Sequence, residues 1–212
     1  MFLKKTLVSV MIISAVMLTG CEFLREIKHR NDGNENSSSH SGPAIFFDDF
    51  NDGLDPAWFI RSGTYDTNYG YLTSGGVELY VRTKDSPSWT NYRVEADLSS
   101  LGNVKFHFRT SADFKRSLVI NFFFGGISWW QNGDERQGQF DDGSENLPVS
   151  LRNGAHIIVD AIGNKYTIYV KQNDQGELVK MGTITNDAYT VGMPGLSFCC
   201  GSRVDNFQVS DK

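Results

Sequence analysis

From residue 44 onward, apolar and polar side chains alternate with a period of two, and short turn signals separate the alternating stretches. This alternation is typical of β-strands with one buried face, because successive side chains of a strand point to opposite sides. Turn pairs such as Gly163-Asn164 are typical of tight hairpins. The pattern predicts strands at residues 77–81, 92–98, 104–108, 118–124, 127–130, 157–162, 166–170, 178–184, 195–200 and 204–209.

These strands predict an all-β fold, a two-sheet antiparallel β-sandwich. No stretch shows a sustained period of 3.6 residues with helix caps. Short strands at regular spacing over 168 residues are typical of a sandwich. The composition agrees, because 21 glycines fit many turns, and a hydrophobic content of 40%, with 15 phenylalanines, is enough to form a core.

The N-terminus has a different pattern. Lys4 and Lys5 precede an apolar run that ends at Gly20, too short for the roughly 20 residues of a membrane span and typical of a secretory signal peptide. The run ends in the sequence LTGC, residues 18–21, which resembles the lipobox of bacterial lipoproteins. The resemblance implies cleavage before Cys21 and acylation of Cys21. We therefore expect an exported protein whose acyl chains hold it in a lipid bilayer of the cell envelope, at the outer membrane. A plain signal peptide followed by a chance cysteine is the alternative.

A polar tether follows the lipobox. Residues 31–42 contain no apolar side chain and cannot pack into a core. The predicted organisation is therefore a signal peptide at 1–20, a lipidated cysteine and flexible tether at 21–43, and one folded domain at 44–212. The formal charge of -5 becomes more negative after cleavage, with 18 basic against 25 acidic side chains, which argues against a nucleic-acid partner.

Several motifs of the domain resemble concanavalin A-like lectin/glucanase domains. They are FFDDFNDGLDPAW at 46–58, WTNYRVEAD at 89–97, FHFR at 106–109, GMPGL at 192–196 and VDNFQV at 204–209. The resemblance covers the whole domain and implies a jelly roll in which the first and last strands pair. Lectins, laminin G-like modules, family 16 glycoside hydrolases and 3-keto-disaccharide hydrolases share these motifs, so the fold alone does not assign an activity.

Motifs for catalysis are incomplete. Family 16 glycosidases carry Glu-x-Asp-x-x-Glu on one strand, and here Glu95 and Asp97 lack the second glutamate. Those two carboxylates are interpreted as a solvated outer face. The sequence also lacks a Gly-x-Ser-x-Gly elbow and the cysteine or histidine spacing of a zinc site. We assign no catalytic residue, and a glycan-cleaving enzyme of the same fold stays open as an alternative.

A binding face is better supported than a catalytic site. In such sandwiches aromatic rings stack on sugar rings, while planar polar side chains read the hydroxyls. Period-two counting places Lys105, His107 and Arg109 on one face, and a regular strand requires that one of Trp129 and Trp130 point away from the core. The candidate ligand-binding residues are Arg109, Asn121, Phe123, Trp129, Trp130 and Gln131. The alternative is that both tryptophans are core residues.

Two further expectations concern calcium and the cysteines. The resemblance implies a structural calcium ion between the first and last strands, for which Asp48, Asp49 and Asp205 are the candidate ligands. The alternative is that Asp49 and Asp205 only hydrogen-bond the backbone of turns. Cys199 and Cys200 are expected to be unpaired thiols, because neighbouring side chains of an extended strand point to opposite faces. A vicinal disulfide would need a kinked backbone.

The sequence thus predicts an anchored, exported protein whose domain binds carbohydrate or another extracellular ligand without catalysis. A protein-interaction or structural lipoprotein is the second alternative, and it predicts an exposed apolar patch instead of an aromatic face.

Overall fold

A computed structural model describes residues 42–132, 134–137, 140–141, 147–173 and 175–212 of the chain. The predicted signal peptide, the lipidation site Cys21 and the tether up to residue 41 lie outside these residues. Among the residues described, no helix is long and apolar enough to cross a membrane.

Strands dominate this part of the chain. They are β1 (Ala44–Asp48), β2 (Trp58–Asp66), β3 (Leu72–Val81), β4 (Tyr92–Ser100), β5 (Asn103–Thr110), β6 (Ser117–Phe123), β7 (Gly126–Asn132), β8 (Asp134–Gln137), β9 (Ala155–Ile162), β10 (Lys165–Gln172), β11 (Leu178–Thr185), β12 (Met193–Cys199) and β13 (Arg203–Asp211). One turn of 3-10 helix, Ser86–Ser88, precedes β4. The predicted all-β class is confirmed.

The strands form two antiparallel layers. The front sheet has the order β2-β3-β12-β5-β6-β7-β8, and the back sheet has the order β1-β13-β4-β9-β10-β11. The layers join where Arg203 and Val204 of β13 pair with β3 as well as with β4. The expected pairing of the first and last strands is confirmed, because β1 lies antiparallel to β13.

Aromatic side chains fill the space between the layers. The ring of Phe106 on the front sheet lies 6.1 Å from that of Phe207 on the back sheet. Phe108 likewise meets Tyr166, with ring centroids 5.6 Å apart. All four rings are fully buried, so the inward face of each sheet contributes to one core.

A buried ion pair lies on the outer face of the back sheet. Arg93 on β4 donates from Nε to Oδ1 of Asp160 on β9 at 2.7 Å, and from its terminal nitrogen to Oδ2 at 2.9 Å. The two residues are opposite each other in register, and both are buried. The hydrogen bond to Asp160 raises the pKa of Arg93, so the guanidinium stays charged.

Three strands are absent from the strands that the period predicts: β1, which only the resemblance implied, β2 and β8. β2 is an edge strand that pairs only with β3 among the described strands, and most of its side chains are exposed. Its outward positions therefore carry no alternating pattern. β8 is only four residues long, too short to show a period of two.

Candidate functional site

The site lies on the outer face of the front sheet, where β5, β6 and β7 run side by side. Lys105 of β5 is opposite Asn121 of β6, which is opposite Ser128 of β7. One pleat further, His107, Val119 and Trp130 form the next row. Their neighbours along each strand, among them Phe106 and Ile120, face the core, so alternation sends this set outward.

An aromatic ring and a cation meet at the centre of this face. The ring of Trp130 is partly exposed, and Nζ of Lys105 lies 6.0 Å from its centroid. Val119, between Trp130 and His107 in the row, is only 1% exposed although it points away from the core. Neighbouring side chains therefore cover Val119, and Trp130 is the exposed apolar group of this row.

Two amide oxygens on this face are buried without a partner. Asn121 is 8% exposed and donates from Nδ2 to Oγ of Ser128 at 3.4 Å, while its Oδ1 has no hydrogen-bond donor. Oδ1 of Asn103, one pleat away on β5, is also buried and unpartnered. A buried acceptor without a donor costs about 1–3 kcal/mol. A ligand hydroxyl would remove this cost once a side-chain rotation brings the oxygen to the surface.

A polar network from β3 and β12 borders the site. His107 is buried, and its Nε2 lies 2.7 Å from Oγ of Ser197. Burial lowers the pKa of His107 to about 4, so the ring is neutral at physiological pH. Tyr80 donates from its hydroxyl to the carboxylate of Glu78, which also accepts from Arg61 at 2.7 Å. Burial raises the pKa of Glu78, but these hydrogen bonds outweigh it and hold the pKa below its ordinary value.

An aromatic stack covers the β3 end of this network. The ring of Phe114, from the loop between β5 and β6, stacks on Phe59 with centroids 4.8 Å apart and lies 5.0 Å from Tyr80. Gly195 faces Tyr80, and a Cβ at this glycine would collide with the tyrosine ring. The network is therefore held rigidly at one border of the site.

The six predicted ligand residues divide between the two faces. Asn121, Phe123 and Trp130 point outward, and the ring of Phe123 crosses its hairpin to lie over Gly126. Trp129 packs against the core, and Gln131 follows it on the inward side with 9% exposure. The requirement that one tryptophan point away from the core is met by Trp130.

The expectation that Arg109 shares the face of Lys105 and His107 is wrong. Arg109 has a φ of 51°, in the left-handed region, and the register between β5 and β12 shifts beside it. The side chain therefore leaves the alternation and is 1% exposed. Its guanidinium donates to the carbonyls of Thr90 and Tyr189 at 2.9 Å each and lies over the ring of Tyr166. Arg109 therefore has a structural role, because it links these two loop carbonyls to the aromatic core.

Sequence reasoning missed several residues of the face. Asn103 obeys the same alternation as Lys105, so the period alone could have identified it. Glu78, Tyr80 and Ser197 come from strands that are distant in sequence and join β5 only through the pairing of β3 with β12. The local sequence around these three residues does not indicate that they lie next to β5.

Glu95 and Asp97 lie on the outer face of the back sheet, where they bind His156. Nδ1 of His156 lies 2.7 Å from Oδ1 of Asp97, and its Nε2 lies 3.4 Å from Oε2 of Glu95. Burial lowers the pKa of His156, but the two carboxylates outweigh it and raise the pKa to about 9. Both carboxylates are thus engaged with a cation on the sheet opposite the candidate site.

This cluster makes the stability of the domain depend on pH. A histidine pKa near 9 when folded and about 6.5 when unfolded stabilises the fold below pH 6.5, and the contribution is lost as the pH rises through 9. Because His156 is partly exposed, we expect a loss of about 1–2 kcal/mol between about pH 6 and pH 9.5. Urea unfolding at both pH values measures it. His156→Gln should flatten the difference, and an equal pH dependence in both proteins would contradict this assignment.

The expected calcium ligands are not arranged as a metal site. Asp48 accepts hydrogen bonds from the backbone of Phe50 and Asp55 at 2.9 Å each and from the indole of Trp58 at 2.8 Å. Asp49 bonds the backbone of Asn51, and Asp205 bonds that of Asn206. Within the described ranges, no group of three or more His, Cys, Asp or Glu side chains is placed to hold a metal. Burial and the neighbouring aspartates nevertheless raise the pKa of Asp205.

The two adjacent cysteines are paired, contrary to the expectation of free thiols. The structure records a disulfide between Cys199 and Cys200, whose Cα atoms are 3.8 Å apart. The extended-strand argument fails because β12 ends at Cys199, and Cys200 has a φ of 65°. The kink that a vicinal disulfide needs is therefore present.

Solved structures share this fold. No protein-family profile matches the chain, and neither does any curated protein. A carbohydrate binding module, CBM66 from Bacillus subtilis, is 15% identical with a TM-score of 0.56, over 73% of this chain and 96% of that chain. A Bacillus subtilis protein of unknown function with a galectin-like fold is 10% identical with a TM-score of 0.56, over 81% and 97%. The exoplasmic/lumenal domain of VIP36, in its Ca²⁺/Man3GlcNAc-bound form, is 12% identical with a TM-score of 0.53, over 74% and 87%.

At these identities the likeness concerns the fold. It establishes the two layers as a β-sandwich of the jelly-roll kind that galectin-like and other lectin-like domains adopt.

Proposed function

We propose that this protein binds a carbohydrate on the outer face of its front sheet, without catalysis. The observation that carries the proposal is a partly exposed tryptophan ring, Trp130, on the same face as two buried, unpartnered amide oxygens. Oδ1 of Asn121 lies in the adjacent row and Oδ1 of Asn103 one row further. Sugars present an apolar ring face for stacking and hydroxyl donors at its edge, so one ligand satisfies both features. The carbohydrate-binding and lectin structures that share the fold support this choice.

The absence of catalysis is part of the proposal. The described carboxylates that come into question already have partners. Glu78 on the candidate face accepts hydrogen bonds from Tyr80 and Arg61. Glu95 and Asp97 on the other sheet bind His156. His107 is neutral and bonded to Ser197. Retaining glycosidases need two carboxyl groups about 5–5.5 Å apart, one of them able to donate a proton. Nothing described on this face supplies that pair.

Binding to immobilised polysaccharides tests the function. The full chain in mild detergent is compared with Trp130→Ala, and we expect a loss of at least about tenfold in affinity, because stacking is removed. Asn121→Ala should also weaken binding, since one hydroxyl acceptor is lost. Trp129→Phe is the matched control, because Trp129 faces the core, and its affinity should match that of the unmodified protein.

Three results would count against the proposal. Unchanged affinity in Trp130→Ala would place the ligand elsewhere. An equal loss in Trp129→Phe would indicate a general effect on folding, which the unfolding midpoint of each variant checks. No binding to any polysaccharide would favour the alternative of a protein-interaction lipoprotein.

The cellular location is proposed from the sequence alone. We propose cleavage before Cys21 and attachment of the protein to the envelope, at the outer membrane, through acyl chains on that residue. The protein should then incorporate labelled palmitate in expressing cells, and Cys21→Ser should not. Equal incorporation in both proteins, or none in the unmodified protein, would overturn the proposed anchor.

Calcium is supported only by the fold. VIP36 was solved with Ca²⁺ bound, which favours an ion in a domain of this shape. The three N–H donors around Asp48 leave that carboxylate unsuited to a cation, so Asp48 does not fit the expected site. We therefore assign calcium no role in glycan binding here.

A further inference from the structure

The candidate face carries a cation, Lys105, for which the described residues provide no acidic partner. Lys105 lies at its centre, opposite Ser197 on one side and Asn121 on the other. Arg61 is paired with Glu78 and Arg93 with Asp160, but no ion pair to Lys105 is found in the described part of the chain. Lys105 contacts the ring of Trp130 and forms no described ion pair, so its ammonium is available to an anion of a ligand.

The carboxylate that shares a row with Lys105 is already engaged. Glu78 lies in that row, with Ser197 between the two, and it accepts hydrogen bonds from Arg61 and Tyr80. Glu78 therefore does not pair with Lys105, on a chain whose net charge is -5.

We propose that the carbohydrate bound by this face is acidic, a polysaccharide of uronic acid residues, and that Lys105 binds its carboxylate. The inference rests on the proposed function. Trp130 stacks the sugar ring, Asn121 accepts from a hydroxyl, and Nζ of Lys105 lies 6.0 Å from the centroid of the indole ring. A uronic acid carries its carboxylate at the edge of the pyranose ring, so a ring stacked on Trp130 can present that group to the ammonium.

The test compares two forms of one polymer. Polygalacturonate and its methyl ester share a backbone and differ in charge, and both are immobilised for binding by the full chain in mild detergent. We expect the acidic form to bind at least about tenfold more tightly, and the difference to shrink between about 0.05 and 0.5 M salt. Alginate and hyaluronan extend the acidic set, and dextran and xyloglucan extend the neutral set.

Variants assign the preference to one side chain. Lys105→Gln should lose about tenfold in affinity for the acidic polymer and stay within about twofold for the ester. Lys105→Arg should retain the preference, because it keeps the charge. Lys180→Gln is the control, since Lys180 is exposed on β11 of the back sheet. This variant should bind both forms of the polymer like the unmodified protein.

The outcomes separate this inference from the proposed function. Equal affinity for the two forms, binding to neutral polymers alone, or a preference that survives in Lys105→Gln would overturn the acidic ligand and leave carbohydrate binding intact. Binding to no polysaccharide of either set would overturn both proposals.

Discussion

Replacing Arg109 with alanine is expected to lower the free energy of unfolding by about 3 kcal/mol and to leave glycan affinity unchanged. The guanidinium is fully buried and donates to two backbone carbonyls while it covers the ring of Tyr166. Its removal takes a donor from each carbonyl, which costs about 1–3 kcal/mol per unsatisfied group, and leaves a cavity beside the aromatic ring. Urea unfolding measures the free energy of unfolding, and polysaccharide binding on the same sample measures the glycan affinity.

Two comparisons sharpen this prediction. Arg152 is an exposed arginine, and its replacement with alanine should change stability by less than about 0.5 kcal/mol. Arg109→Lys should recover only part of the loss, because an ammonium lacks the planar fork that spans two carbonyls. Normal stability with abolished binding in Arg109→Ala would return Arg109 to the ligand site, as the sequence alone suggested.

Asp160→Ala is expected to destabilise the domain by about 3 kcal/mol or more. Asp160 accepts two hydrogen bonds from the guanidinium of Arg93, at 2.7 and 2.9 Å, in a buried position of the back sheet. The alanine removes a carboxylate that also faces Nζ of Lys212 at 3.8 Å, while both cations stay in place. Breaking a buried pair from one side costs about 3–5 kcal/mol. The midpoint of urea unfolding measures the change.

The double variant Arg93→Met with Asp160→Leu provides the control. Apolar side chains of similar size remove both charges together, so most of the stability should return, to within about 1 kcal/mol. A double variant as unstable as Asp160→Ala would show that packing at this point, and not the unpaired charge, causes the loss.

The fold could be predicted from the sequence because its strands alternate strictly. One inward face per strand gives the pattern that residues 92–98 and 104–108 show, and the hairpin at Gly125 separates β6 from β7. β2 could not be found in this way, since an exposed edge strand has no buried face to reveal. The layer order also remained hidden, because long-range pairings such as β3 with β12 leave no local signal.

The candidate site was predicted in part for the same reason. Lys105, His107, Asn121 and Trp130 obey the period, so their shared face follows from counting. Arg109 breaks the count because its backbone enters the left-handed region, and no residue type at that position indicates the change. Trp129 and Gln131 were grouped with the site because the sequence alone does not choose between the two faces of a hairpin.

The position of β13 has a consequence for synthesis. This strand, the last of the chain, pairs with β1, β3 and β4 and contributes Phe207 to the core. Until residues 203–211 leave the ribosome, β1 and β4 each expose an open edge, and the two layers lack their junction. The domain therefore cannot complete its core before β13 has emerged. A chain that lacks residues 203–212 would be exposed to proteases and chaperones as an unfolded protein.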